Sequence, residues 1–242
     1  MTNYKISVVV RTFNEGKHLD ELLTVLDSQK YRNYEVVIVD SESTDNTCQI
    51  AKNHGAKIVS IKKSDFNYSY SSNVGVANSE GDIVCFLSGH SVPVSNNYLD
   101  ALVAAFNSDS LIGGCYGDVI ALPDGSWVEK IFNRVGYWKN KLRGRGKEVI
   151  IEREIHPGIF SCSNAAARRD LLMKHPFKEE LGRGGEDIEV AYRMIEDGYV
   201  IAQVPDLLVM HSHGLGIVKF IRQYHNWQRM YQQVQRYIRE SV

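Results

Sequence analysis

Short β-branched runs alternating with amphipathic stretches through its first half constrain this chain more than any other feature. Residues 7–10 (Ser-Val-Val-Val) and 35–40 (Glu-Val-Val-Ile-Val-Asp) read as buried strands, with further strands over 57–61 and 82–87. Between the first two, residues 16–30 set Leu19, Leu22, Leu23 and Leu26 on one helical face. Ser43 or Thr44 can cap the next helix, Gly55 can end it, and 73–78 reads as helical. Strands apolar on both sides must be covered on both faces. The pattern therefore predicts an α/β fold: a Rossmann-like, mostly parallel central sheet with helices on both faces.

The second half is less regular. Residues 97–106 read as a helix, 112–121 as extended, and 126–142 as a helix with Trp127, Ile131, Val135 and Trp138 on one side. Residues 143–154, charged and glycine-containing, read as a loop that could close over a bound ligand. A helix over 185–197, strands over 200–204 and 207–210, and a long final helix from 215 complete the chain. With no repeat, low-complexity stretch or linker, a single domain spanning 1–242 is expected. Its parts are a ligand-binding region (1–95), a catalytic region (96–215) and a C-terminal helix (216–242).

Composition excludes several classes. The net charge of −1 gives no global field for nucleic acid. No window supplies the roughly 18 apolar residues of a membrane span, and no signal sequence is evident at the start. Cys48, Cys85, Cys115 and Cys162 form no C-x-x-C pair, which fits reduced, buried thiols in a cytoplasmic protein. No G-x-G-x-x-G follows a strand, against a dehydrogenase, and no glycine-rich loop follows the first strand, against a nucleotidyltransferase.

Ligands bind open α/β sheets outside the carboxyl ends of the strands. Three strand ends here are polar: Arg11-Thr12-Phe13-Asn14-Glu15, Asp40-Ser41-Glu42-Ser43 and Ser88-Gly89-His90-Ser91. Asp40 could cap the Ser43 turn or accept an imide N–H from a pyrimidine, and Asn14 could cap the first helix. Arg11 could contact phosphate or pair with a carboxylate. Two adjacent carboxylates, Glu186 and Asp187, follow Gly184-Gly185 at the start of a helix.

These residues resemble the family-2 glycosyltransferases, which have the GT-A fold. Val8-Val9-Val10-Arg11-Thr12-Phe13-Asn14-Glu15 is similar to the family's opening motif, and Val39-Asp40-Ser41-Glu42-Ser43-Thr44-Asp45-Asn46-Thr47 to its second. Asn73-Val74-Gly75-Val76-Ala77-Asn78-Ser79-Glu80-Gly81-Asp82 resembles the third, and Gly184-Gly185-Glu186-Asp187 the acidic motif beside the acceptor. The resemblance covers residues 5–215. It implies an inverting transfer of a hexose-like sugar from a nucleoside-diphosphate donor, UDP- or dTDP-linked, to a hydroxyl on a glycan or lipid-linked acceptor. Thr12, Asn14 and Glu15 would frame base and ribose, with Arg11, Asp40, Ser43 and Asn73 completing the donor set. Asp187 would be the base and Glu186 its helper. The helix N-terminus is expected to lower the carboxylate pKa, while donor diphosphate charge would raise it.

The chain departs from the family at the metal motif. Where an Asp-x-Asp is usual, it reads Leu87-Ser88-Gly89-His90-Ser91-Val92-Pro93, with His90 at the place of the second aspartate. His90 could ligate a divalent cation, contact diphosphate directly, or mark a lost metal and a lost activity. Imidazole suits Mn²⁺, Co²⁺ and Zn²⁺ better than Mg²⁺. Residues two apart on a strand share a face, so His211 and His213 point the same way. The resemblance places a histidine of that segment near the metal, and implies Mn²⁺ or Mg²⁺ there. Asp65 and Asp82 are nearby carboxylates, but Asp82 begins a strand and lies at its wrong end.

Two readings of the final helix are open. Its aromatic residues alternate with Lys219, Arg222, Arg229, Arg236 and Arg239, which would suit an anionic membrane surface. It could equally pack on its own domain or on a second copy in a homo-oligomer. The competing function is a non-catalytic nucleotide- or glycan-binding module with a GT-A fold. Asp40 together with Glu186 and Asp187 argues against it, since a binder needs no base.

Overall fold

The computed structural model describes residues 2–142 and 148–241. Its strands are β1 (Ile6–Thr12), β2 (Tyr34–Asp40), β3 (Lys57–Ser60), β4 (Ile83–Ser88), β5 (Val92–Pro93) and β6 (Ile112–Tyr116). They continue with β7 (Val119–Ile120), β8 (Ile150–Glu152), β9 (Asn164–Arg168), β10 (Val200–Gln203) and β11 (Val209–Met210). The helices are α1 (Leu19–Asp27), α2 (Thr47–Asn53), α3 (Tyr68–Ala77) and α4 (Tyr98–Ser108). Then come α5 (Trp127–Leu142), α6 (Arg169–Lys174), α7 (Glu186–Glu196) and α8 (Ile217–Ser241).

Eight strands form one sheet in the order β3-β2-β1-β4-β9-β6-β10-β8. β1 pairs in parallel with β2 and β4, β2 with β3, and β10 with β6. β9 runs backwards between β4 and β6, with Leu87 opposite Asn164 and Tyr116 opposite Ala165. β4 and β6 therefore point the same way, and the parallel strands all end on one rim. A small second sheet, β5-β11-β7, stands beside that rim.

Alternation along β1 shows why helices cover both faces. Ile6, Val8 and Val10 join a core with Leu19, Leu22, Leu23 and Leu26 of α1 and Leu99, Leu102 and Phe106 of α4. Val9 faces the other way, with Val76 of α3, Val190 and Met194 of α7 and Val234 of α8. Complete burial of one such valine is worth about 1.5–3 kcal/mol. Gly75 lets α3 approach β1 closely, because a Cβ there would collide with Val9. The four cysteines are free thiols, three of them buried.

Several local expectations change. α2 is not capped by Ser43 or Thr44; it starts later, where the Asp45 carboxylate accepts the Thr47 N–H at 3.0 Å. Asn14 does not cap α1, which begins at Leu19; it sits in the left-handed region at φ +55°, and its Oδ1 accepts the Thr44 N–H at 2.8 Å. α3 begins at Tyr68, earlier than its apolar spacing predicts, since Asn67 caps it by accepting the Tyr70 N–H at 2.7 Å. Its face on the core carries buried Ser69, Ser71 and Ser72, which periodicity does not register as core. The apolar side of α5 is exposed, with Trp127 65% and Ile131 56% accessible. Of the loop expected over 143–154, residues 143–147 lie outside the described residues, and 150–152 form β8.

Candidate active site

The rim where β1 and β2 end carries one connected network. Asp40 is 2% exposed; its Oδ1 accepts the hydroxyls of Thr12 (2.9 Å) and Ser43 (2.6 Å), and its Oδ2 accepts the Ser43 N–H at 2.9 Å. The Ser43 hydroxyl accepts the Asn14 N–H at 2.8 Å. Thr12, Asn14, Asp40 and Ser43 thus meet, with Asp40 holding the turn from within. Three expected members lie elsewhere, Arg11 among them, beside Glu186. Both amide atoms of Asn73 are committed to the Phe177 backbone at 2.9 Å, pinning α3 to the segment before α7. Glu15 turns away from the network toward β4.

There Glu15 meets His90. Nδ1 of His90 lies 3.0 and 3.1 Å from the two carboxylate oxygens. An ionised carboxylate only accepts, so Nδ1 carries a proton and Nε2 is the nitrogen left to serve as a ligand. That Nε2 is buried and finds no hydrogen-bond partner among the described residues. Gly89 leaves room for the contact, since a Cβ would sit 2.5 Å from Glu15 Cγ.

His211, just after β11, brings the second ring, stacked on His90 with centroids 4.6 Å apart. Its Nδ1 is 2.9 Å from the Ser91 hydroxyl and 3.3 Å from that of Ser88, and its Nε2 is 3.3 Å from Nε2 of His213. One nitrogen from each of His90, His211 and His213 lies within 4.8 Å of the others. Burial, reinforced by the neighbouring imidazoles, lowers the pKa of His211 well below its usual range and that of His213 in the same direction. Three imidazoles with converging nitrogens, one of them buried and unmatched among the described residues, fit a divalent cation. An all-nitrogen donor set fits Mn²⁺, Co²⁺ or Zn²⁺ better than Mg²⁺. Asp82 is not a candidate, as its carboxylate accepts the Lys5 N–H at the opposite end of β1.

Glu129 lies outside the strand-end and acidic motifs, yet it braces this cluster. Oε1 accepts the His213 N–H at 2.8 Å; Oε2 accepts the Leu215 N–H at 3.2 Å and the Ser126 N–H and hydroxyl at 3.0 and 2.9 Å. Burial raises its pKa, but these donors outweigh burial and the net shift is downward. The available signal was Ser126-Trp127-Val128-Glu129, a capping box opening α5. A cleft of about 320 Å³ lies alongside, lined by Glu15, His90, Asp124, Gly125, His213 and Gly214 among others.

Across the rim stands the acidic pair. Gly184 (φ +134°) and Gly185 (φ +93°) turn the chain into α7, and a side chain at 184 would collide with Met230 of α8. Glu186 is 4% exposed; its Oε1 is 3.9 Å from Arg11 Nη1, and its Oε2 is buried without a partner among the described residues. Arg11 also donates to the Ser72 hydroxyl at 3.2 Å, so its role as a carboxylate partner is the one the structure displays. Asp187 accepts the Ile188 N–H at 2.9 Å and the Cys162 N–H at 3.4 Å. Burial raises both carboxyl pKa values, with the charge of Asp187 adding to the shift at Glu186. The expected lowering by the helix N-terminus is therefore reversed: loss of water outweighs the few N–H donors and Arg11.

Comparison with known proteins places this geometry. The O-antigen chain rhamnosyltransferase WbaN of Salmonella anatum is 29% identical over 210 residues, which cover 86% of this chain and 66% of that protein. A mannosyltransferase from Pyrobaculum calidifontis, solved with GDP-Man and Mn²⁺, superposes with a TM-score of 0.65 at 21% identity, over 96% of this chain and 62% of that one. Glucosyl-3-phosphoglycerate synthase of Mycobacterium tuberculosis, solved with Mn²⁺ and UDP, gives 0.65 at 20% identity, over 96% and 80%. This chain thus spans just under two thirds of the rhamnosyltransferase and has the GT-A fold. The family model for Glycosyl transferase family 2 matches residues 7–175, and with the fold and strand-end motifs in agreement, the chain belongs to that family of glycosyltransferases.

Proposed function

We propose that this glycosyltransferase moves a hexose-like sugar from a UDP- or dTDP-linked donor to an acceptor hydroxyl, with inversion and with Asp187 as base. The observation that carries this reading is the placement of the Asp40 network, the three histidines and the acidic pair on one rim. Residues 1–95 bind the donor, and residues 96–215 carry the base and the acceptor side. Asp40 would offer its carboxylate to the imide N–H of uracil or thymine, while Thr12, Asn14 and Ser43 hold the turn around it. His90, His211 and His213 would hold a divalent cation, Mn²⁺ in preference to Mg²⁺, which when bound would supply positive charge to the donor diphosphate. Glu15 fixes the ring and tautomer of His90.

On the acceptor side, Asp187 takes the proton of the attacking hydroxyl. Its raised pKa brings a carboxylate closer to the optimum for a base near neutral pH. Glu186, held against Arg11, contacts or orients the acceptor. Likeness to an O-antigen chain rhamnosyltransferase suggests a surface glycan as the product, carried as a glycan or lipid-linked acceptor.

Calorimetry with UDP and dTDP, each with and without Mn²⁺, tests the donor half. Metal-dependent binding that His90→Ala abolishes is expected. Binding indifferent to metal would make His90 a direct phosphate contact. No binding of either nucleotide would favour a glycan-binding module instead.

A further inference from the structure

The exposed apolar surface of this protein is concentrated on two helices. Of the eighteen large hydrophobic side chains exposed among the described residues, ten lie on α5 and α8. On α5, Trp127, Ile131 and Val135 follow one another at one-turn spacing, 65%, 56% and 48% accessible. On α8, the N-terminal half exposes Ile217, Val218, Ile221 and Tyr224, whereas Met230 and Val234 further along pack against the turn into α7. Phe132 joins the two stripes, with ring centroids 4.9 Å from Phe220 and 6.3 Å from Tyr224.

Charge decides what covers this face. Residues 127–142 and 217–241, the two helices, hold nine of the 28 basic residues but two of the 29 acidic ones, a net +7 in a chain of net −1. Of the two acidic residues, Glu129 points inward. Lys130, Arg134, Lys219 and Arg222 are exposed beside the apolar stripes. A second copy packed on the same face would set two cationic surfaces against each other, which like-charge repulsion opposes. A nucleic acid would satisfy the charge but leave Ile131, Val135, Ile217 and Val218 in water. A surface of anionic lipid satisfies both, burying aliphatic and tryptophan side chains at the headgroup level while its charge attracts the Lys and Arg. No described helix is long and apolar enough to cross a membrane, so the helices would lie on the surface.

We propose that α5 and the N-terminal half of α8 form a docking face for an anionic membrane. Both helices start at the histidine cluster. Asp124 and Gly125, which line the cleft, directly precede α5, and Ser212, His213 and Gly214 directly precede α8. Glu129 in the first turn of α5 bonds the N–H groups of His213 and Leu215. Docking therefore brings the cleft to the lipid surface.

Co-sedimentation of the full chain with phosphatidylcholine vesicles, with and without about 30% phosphatidylglycerol, tests this. Binding to the anionic vesicles alone, released by high salt, is the expected result. Two paired variants, Trp127→Ala with Ile221→Ser, and Arg134→Glu with Arg222→Glu, should each weaken it about tenfold or more. Both should still bind nucleotide and Mn²⁺, which shows that they fold. Absence of vesicle binding, or binding that both pairs leave intact, overturns the proposal. So does lipid-independent dimerisation that the same substitutions abolish.

Discussion

His90 and Glu15 face each other across 3.0 Å, and the ring nitrogen that Glu15 does not hold is buried without a partner among the described residues. A carboxylate behind a histidine fixes both its tautomer and its angle, and losing such a support costs about 10–100-fold in metal affinity. Glu15→Gln should therefore weaken Mn²⁺-dependent nucleotide binding by that factor while leaving the fold intact. Gly89→Ala, which drives a methyl into Glu15, should do the same. Unchanged Mn²⁺ titrations in both variants would remove Glu15 from the metal site.

The donor set also sets metal preference. Replacing His90 with aspartate substitutes a hard oxygen for an imidazole nitrogen, and hard ligands favour Mg²⁺. In His90→Asp, calorimetry with UDP should show the advantage of Mn²⁺ over Mg²⁺ shrinking by about tenfold. An unaltered ratio would mean that His90 does not touch the cation.

The acidic pair predicts a pH profile with a defined sign. Burial raises the Asp187 pKa, so the folded protein binds more protons than the unfolded chain between the ordinary and the raised value. Stability then falls as pH rises through that window, and Asp187→Asn should melt a few degrees higher than wild type near pH 8, a gap that closes at pH 4. The same variant should lose about 10²–10⁴-fold in kcat. Wild-type turnover should rise with pH above the usual carboxylate range. A variant as active as wild type would rule out Asp187 as base.

Glu129 shows the opposite linkage. Its pKa is lowered in the folded state, so its contribution is present above the ordinary glutamate value and disappears as pH falls through the folded one. Glu129→Ala leaves the N–H groups of His213 and Leu215 without their acceptor, at a cost of about 1–3 kcal/mol. Melting curves should show that loss at pH 7 and much less of it near pH 3. Mn²⁺ affinity should drop as well, because the loop bearing His213 is no longer held.

The strands and the order of the strand-end motifs were legible because the β-branched runs alternate with clear helical stripes. The histidines could be named from a missing aspartate and a two-residue spacing. Other features depended on contacts that no local pattern encodes. Asn73 looks like a motif residue, yet its amide reaches a backbone 104 residues later. The direction of the Asp187 shift turns on how much water α7 and α8 exclude, which the helix N-terminus alone does not reveal. The serines of α3 occupy a core face, where burial overrides polarity. The α5 stripe was legible as a stripe, but whether it faced the core or the outside was a tertiary matter.

The reversed direction of β9 has an evolutionary consequence. A backward strand delivers its leading segment, not its trailing one, to the rim where chemistry occurs, which is why the Cys162 N–H reaches Asp187. The segment that leads into β9 can therefore grow or shrink at its rim end while β9 and β8, which also runs backwards, keep their places. Variation in acceptor choice among relatives of this protein should accumulate in that segment, as insertions rather than as rearranged strands.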